Sequence, residues 1–158
     1  AGYGRVGRSI GDILTIANQP FIAIDDNAAT VAHYSKLGVP IYYGDVTKPV
    51  VLNSAGIKHA AYMVVTVNEA ETAKTLVETI HKQLPDLTIY ARGHDRSTCH
   101  QLRELGATNA VSENIEASIE LARLILTNYE LDQDELTLEQ LNIVLNDYKT
   151  NYYKQQED

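Results

Sequence analysis

The sequence holds one cysteine, Cys99, in 158 residues. A lone thiol cannot close an internal disulfide, and without a cysteine cluster no thiolate set exists to hold zinc. That usage points to a reducing compartment. Basic residues are also scarce: 13 Lys and Arg against 21 Asp and Glu leave a net charge of −8. A nucleic-acid partner requires a basic face for its phosphates, so this balance argues against that class. No apolar run nears the ~20 residues that cross a bilayer, and no signal-peptide pattern leads the chain. The expectation is a soluble fragment, cut from a protein that need not itself be soluble. Catalytic groupings are equally thin. No tyrosine is followed four places later by lysine, and the 5 histidines are too scattered for a metal or proton-transfer centre. Neither a catalytic residue nor a metal site is expected.

What is present is ordinary globular composition, 44% hydrophobic and 22% charged, in a chain long enough for one core. Short apolar runs alternate with amphipathic stretches. PFIAIDD, VPIYYGD, AYMVVTV, LTIYARG and ATNAVSE read as strands. RSIGDILTIANQ, NAATVAHYSKLG, KPVVLNSAGI, NEAETAKTLVETIHKQLP, STCHQLRELG and NIEASIELARLILTNYEL read as helices. Pro49 suits a helix start, Gly38 and Gly56 suit ends, and Asn68 suits a cap.

The alternation predicts an α/β fold, a Rossmann-like doubly wound parallel sheet with helices over both faces. The first helix follows the opening glycines directly. The first strand, expected mid-sheet beside a cofactor, is therefore missing or truncated; a cut in a longer chain is the simplest reading, and a sheet without it should be less stable. The chain divides at 1–130, a nucleotide-binding domain, and 131–158, a C-terminal helical extension. In the extension Leu138, Leu141, Leu145 and Tyr148 share one helical stripe. Such a stripe packs against a second subunit or back onto its own domain. The final acidic residues read as solvated.

The opening AGYGRVG carries Gly2, Gly4 and Gly7 in the G-x-G-x-x-G pattern. Gly2 permits a tight turn, Gly4 lets a pyrophosphate approach the backbone, and Gly7 allows close packing of the following helix. The amides opening that helix, with Tyr3 and Val6 in the loop, would face the phosphates. Arg5 could fold over them with its fork of donors; a plain surface arginine is the competing reading. Asp25 ends the second expected strand, where its carboxylate can take both ribose hydroxyls. Asp26 beside it repels a ribose phosphate and no arginine adjoins it in sequence, which disfavours NADP. Its simpler role is a helix N-terminal acid. Asp45, in Gly44-Asp45-Val46-Thr47, ends the next strand beside an adenine subsite; the competing reading is that Gly44 and Asp45 only turn the chain and Thr47 starts a helix. Thr66 and Asn68 line the same crevice. Arg92, His94 and Asp95 follow the fifth strand and read better as a surface or interface cluster than as a catalytic one, with Arg92 also counted among the residues expected to bind the nucleotide.

These residues together resemble RCK-N domains, also called KTN or TrkA-N, the cytosolic regulatory domains of potassium channels and transporters. The likeness is carried by AGYGRVGRSIG, IAIDDN, YYGDVTKPVVLNSAGI, VVTVNEAET, LTIYARGHD, LRELGATNAV and SENIEASIELARLIL, from Gly2 to about Leu126. It is strongest to Kef-type potassium/proton antiporters. The resemblance implies a Rossmann-like fold, pairing of two copies through late helices, and a membrane cation-transport domain in the same protein. It implies an adenine nucleotide (AMP, ADP, ATP or NAD(H)) on the glycine loop, with Asp25 on the ribose and Asp45 near the base. Arg92 occupies the arginine position of a stretch that serves glutathione sensing in some Kef relatives. Here that stretch reads ARGHD and departs from the pattern, so glutathione sensing is not carried over.

The leading expectation is thus a cytosolic nucleotide-sensing module, Leu121, Leu124 and Ile125 carrying the dimer contact. The alternative is an NAD-dependent oxidoreductase fragment, which would need a proton donor and a substrate pocket. A small-molecule methyltransferase fits the glycine spacing poorly.

Overall fold

The structure, a computed structural model, describes residues 1–128 and 138–154. The helix α1 (Arg5–Ile16) leads into β1 (Ala23–Asp25), α2 (Ala28–Lys36), β2 (Ile41–Tyr43) and α3 (Pro49–Ser54). A 3-10 turn at Ile57–His59 precedes β3 (Tyr62–Val65), α4 (Ala70–Gln83), β4 (Thr88–Gly93), α5 (Arg96–Glu104) and β5 (Asn109–Ser112). The chain then forms α6 (Glu113–Asn128) and α7 (Leu138–Lys154). All strands pair in parallel, in two groups: β1 with β2, and β3-β4-β5 in order.

Ala1 and Gly2 join the groups. The Gly2 amide donates to the Ile24 carbonyl at 2.9 Å, and the Thr66 amide donates to the Ala1 carbonyl at 2.8 Å. The Ala1 nitrogen reaches the Val64 carbonyl at 2.7 Å. The order across the molecule is therefore β2-β1-(Ala1, Gly2)-β3-β4-β5, the doubly wound order with two residues at the place of its central strand. The expected α/β architecture is the one observed.

Local chemistry explains the element ends. Pro49 opens α3, where its missing N–H costs nothing. Asn27 caps α2 by accepting from the Thr30 amide at 3.0 Å, and Asp95 caps α5 through the Thr98 amide at 2.8 Å. Gly38 and Gly56 leave α2 and α3 with positive φ. The cap of α4 is Glu69 rather than Asn68, and α1 begins at Arg5, earlier than the apolar pattern implied.

The main core lies between β3-β4-β5 and the helices α4 and α5, with Val65, Val77, Ile89, Leu102 and Ala110 fully buried. Across β1 and β2, the Tyr3 ring packs with Ala23 and Ile41 beneath α2. The expected cover over both faces holds around β1 but not over β3-β4-β5. There Tyr62, Tyr90 and Val111 are exposed on one face, and the two tyrosine rings stack with centroids 6.0 Å apart. Strands alternate sides, so the open face takes every second residue of each strand. The stripe on α7 folds back onto its own chain: Leu141 and Leu145 are buried against Ile115 and Ile119 of α6. Tyr148 is exposed, outside that contact. The 130/131 boundary, the Leu138 side chain and the terminal acids lie outside the described residues. No helix among the described residues is long and apolar enough to cross a membrane.

Candidate functional site

The glycine turn is fixed by contacts that leave no room for side chains. Gly2 has φ +85°, and a Cβ there would stand 2.8 Å from the Val67 amide nitrogen. A Cβ on Gly7 would meet the Gly2 carbonyl oxygen at 2.2 Å. Gly4 differs: beyond its own chain neighbours, nothing lies within 4 Å of where its Cβ would stand. The fold needs glycine at Gly2 and Gly7, whereas Gly4 leaves its outer side clear for something else to approach.

Gly4 is also the N-cap of α1, with no side-chain hydrogen bond and no acid in the first turn. The start of α1 thus carries no capping side chain and no acid of its own in the first turn. Two groups hold the turn above the sheet. The Asp25 carboxylate accepts from the Tyr3 amide at 2.6 Å and from the Asn27 amide at 2.8 Å. The Thr66 hydroxyl lies 2.7 Å from the Gly2 carbonyl and 3.0 Å from that of Ala1.

Around this turn opens a cavity of about 580 Å³, the size of small-molecule sites generally. Its wall takes in Gly2, Gly4, Arg5 and Val6 of the opening loop; Asp25 and Asp26 after β1; Gly44, Asp45 and Val46 after β2; Thr66 and Asn68 after β3; and Arg92 of β4. All of these were expected from sequence. Three expected residues are not on the wall. Tyr3 is 3% exposed, its ring turned into the core and edge-on to Tyr34. Gly7 is enclosed under the Gly2 turn. Thr47 gives its amide and hydroxyl to Asp45 at 2.9 and 2.6 Å. Asp45 is thereby the anchor of a local turn, and the Thr47 hydroxyl and amide hold its carboxyl below the usual range.

Arg8, Ile24, Val67, Glu69 and Thr72 also line the cavity. Arg8 stands one helical turn after Gly4, a spacing that could have flagged it. Its guanidinium donates to the Tyr34 hydroxyl at 2.6 Å. Arg5, Arg8 and Arg92 thus put three cations on the wall, against Asp25, Asp26, Asp45 and Glu69.

Arg92 and His94 form the polar cluster at the β4 tip. The Arg92 side chain, 10% exposed, donates to Glu113 at 3.0 Å and to the Asn68 side-chain oxygen at 3.0 Å. The His94 ring lies 2.8 Å from the Asn68 carbonyl and 3.3 Å from Glu113. Asp95 caps α5, and the Thr98 amide and side chain hold its carboxyl below the usual range. His100 pairs with Glu104 on its own helix. Among the described residues no three metal-ligating side chains gather.

Chemically, the wall offers free helix-start amides and cations for phosphoryl oxygens, and carboxylates at two strand tips for hydroxyl and amino groups. Its described lining contains no histidine, cysteine, tyrosine or lysine.

Known proteins resemble the chain in family and in fold. The TrkA-N domain model matches residues 1–113. The chloroplastic K(+) efflux antiporter 3 of Arabidopsis thaliana is 31% identical over 144 residues, covering 86% of this chain and 19% of that protein. The chain spans about a fifth of the length of the curated relatives it matches. The Kef CTD of Shewanella denitrificans in AMP-bound form superposes with a TM-score of 0.78 at 25% identity, over 95% of this chain and 89% of that one. The GsuK channel bound to NAD superposes with a TM-score of 0.71 at 29% identity, over 79% of this chain and 22% of that one.

Proposed function

The chain belongs to the TrkA-N domain family, and on that premise we propose that it is the nucleotide-sensing regulatory domain of a potassium efflux antiporter. An adenine nucleotide (AMP, ADP, ATP or NAD(H)) sits in the cavity, its phosphates at the start of α1 beside Arg5. Its ribose hydroxyls meet Asp25, whose oxygens each keep a lone pair beyond the amides they already accept. The base lies toward Asp45 and Val46. Asp25 and Asp26 repel a ribose phosphate, which disfavours NADP. The domain stands on the cytoplasmic side of a membrane cation-transport domain in the same protein. Two copies meet through the late helices, where Leu121, Leu124 and Ile125 are each more than half exposed. A nucleotide that fits one arrangement of the pair better than another shifts that equilibrium; about 1–3 kcal/mol of differential affinity is enough.

One observation carries this reading: a single cavity collects the uncapped start of α1 and the acid-bearing tips of two neighbouring strands. The relatives add support, one named as a K(+) efflux antiporter and one solved with AMP.

Calorimetric titration of the full chain with AMP, ADP, ATP, NAD, NADH and NADP tests it. Uptake of adenylates or NAD(H), with NADP at least about tenfold weaker, is expected. No heat from any of them at millimolar concentration, with a folded sample, would overturn the reading.

A further inference from the structure

Arg92, His94, Asn68 and Glu113 form a closed ring between the cavity and α6. Arg92 and His94 stand two residues apart at the end of β4. Asn68 lies just before α4 and Glu113 in the first turn of α6. Each of the first two donors touches each of the last two residues: Arg92 reaches Glu113 and the Asn68 side chain, and His94 reaches Glu113 and the Asn68 carbonyl. Asn68 and Arg92 also line the cavity, whereas Glu113 and His94 do not. The ring therefore has one side on the cavity and the other on α6.

Its bonding is unbalanced at one atom. Among the described residues the Nε of Arg92 is buried and has no hydrogen-bond partner. A buried donor left unpaired is costly, so the present placement of the guanidinium is not its best where an anion comes within reach. Glu113, by contrast, keeps a second partner in His94 at 3.3 Å. It can lose Arg92 without being left alone.

We propose that Arg92 exchanges Glu113 for an anionic group of the cavity's ligand, and that this exchange loosens the first turn of α6 at the β4 tip, where Asn114 still donates to the His94 carbonyl at 2.8 Å. This rests on the cavity being a nucleotide site, and it adds how occupancy is passed on. The phosphoryl oxygens of an adenylate give the guanidinium, Nε included, a bidentate partner. Glu113 then stays with His94 alone, and the start of α6 is held by fewer bonds. α6 carries Leu121, Leu124 and Ile125 on its exposed side. Loosening its first turn thus acts on the surface through which two copies would meet.

The exchange has a signed consequence. Glu113 competes with the ligand for Arg92, so removing its charge strengthens ligand binding. A purely structural ion pair predicts the opposite or nothing. Two measurements on the full chain test this with AMP as the probe: calorimetric affinity, and amide hydrogen exchange at residues 115–118. In the natural chain AMP is expected to speed exchange at these amides. In Glu113→Gln, AMP is expected to bind about three- to tenfold tighter and to change that exchange little. If Glu113→Gln is poorly folded by thermal melting, Glu113→Asp, which draws the carboxylate back from Arg92, carries the same expectation in weaker form. AMP binding to the natural chain without any change at residues 115–118, or equal or weaker binding by a folded Glu113 variant, overturns the exchange while leaving the nucleotide site standing. No AMP binding by the natural chain overturns both.

Discussion

The backbone amide of Tyr3 donates to the carboxylate of Asp25 at 2.6 Å, tying the glycine turn to the tip of β1. The acid proposed to hold the ribose is therefore also the acid that shapes the loop beneath the phosphates. Asp25→Asn is expected to lower adenylate affinity about 10- to 150-fold, the equivalent of about 1.5–3 kcal/mol for hydrogen bonds to a charged group. It should also lower the melting temperature, because the Tyr3 and Asn27 amides lose their charged acceptor. Calorimetry beside thermal melting separates the two effects. Unchanged affinity in a folded variant would remove Asp25 from the site.

Gly4 and Gly7 should behave as opposites. Gly4→Ala places its methyl where, beyond its own chain neighbours, no atom lies within 4 Å, so its stability cost stays within about 1 kcal/mol, that of a poorer N-cap. The same methyl stands on the cavity wall and should cut adenylate affinity at least about tenfold. Gly7→Ala drives a carbon into the Gly2 carbonyl and should destabilise the whole turn. Matched melting curves and titrations of both variants check the contrast; equal behaviour would refute it.

Asp95 gives a pH signature. Its carboxyl is held below the usual range by the Thr98 amide and side chain, so it is more acidic folded than unfolded. Its contribution is complete above the unfolded value, near about pH 4, and is lost as pH falls through the lower folded value. Asp95→Ala should cost about 1 kcal/mol at pH 7. Denaturant melts taken down to pH 3 should show the gap between variant and parent narrowing. A gap that widens toward acid would contradict the cap.

The Tyr153 hydroxyl accepts from the Ser112 amide at 2.9 Å, and its ring lies under the Arg103 guanidinium at 4.8 Å. β5 ends the strand order, and this contact satisfies part of its outer edge. Tyr153→Phe leaves a buried amide unpaired and should cost about 1–3 kcal/mol. Leu141→Ala, which empties the α6–α7 contact, should cost about 2–5 kcal/mol. Both losses should be independent of protein concentration, since the contacts lie within one chain. Melting at two concentrations tests this.

Much of this was legible in the residues. Strand–helix alternation gave the architecture, and Pro49, Gly38 and Gly56 marked ends that the backbone confirms. Strand length was not legible: PFIAIDD is apolar for longer than Ala23–Asp25 pairs with Ile41–Tyr43, because pairing rather than hydrophobicity ends a ladder. The open face escaped notice because tyrosine suits a half-buried sheet as well as a covered one. In the site, strand-end acids were readable from their place after apolar runs. Tyr3 was misplaced because a loop pattern does not say which way a ring turns, and here it turns into the core. Arg8 and Glu69 were missed because they lie beyond the short motifs, on helix turns that the fold bends back to the same wall.

Backbone bonding between the two strand groups runs through Ala1 and Gly2 alone among the described residues. The cavity straddles that seam, with Asp25 and Asp45 on one bank and Thr66, Asn68 and Arg92 on the other. A molecule of the proposed kind seated there would touch both banks at once, so its uptake should raise the melting temperature of the domain as one unit.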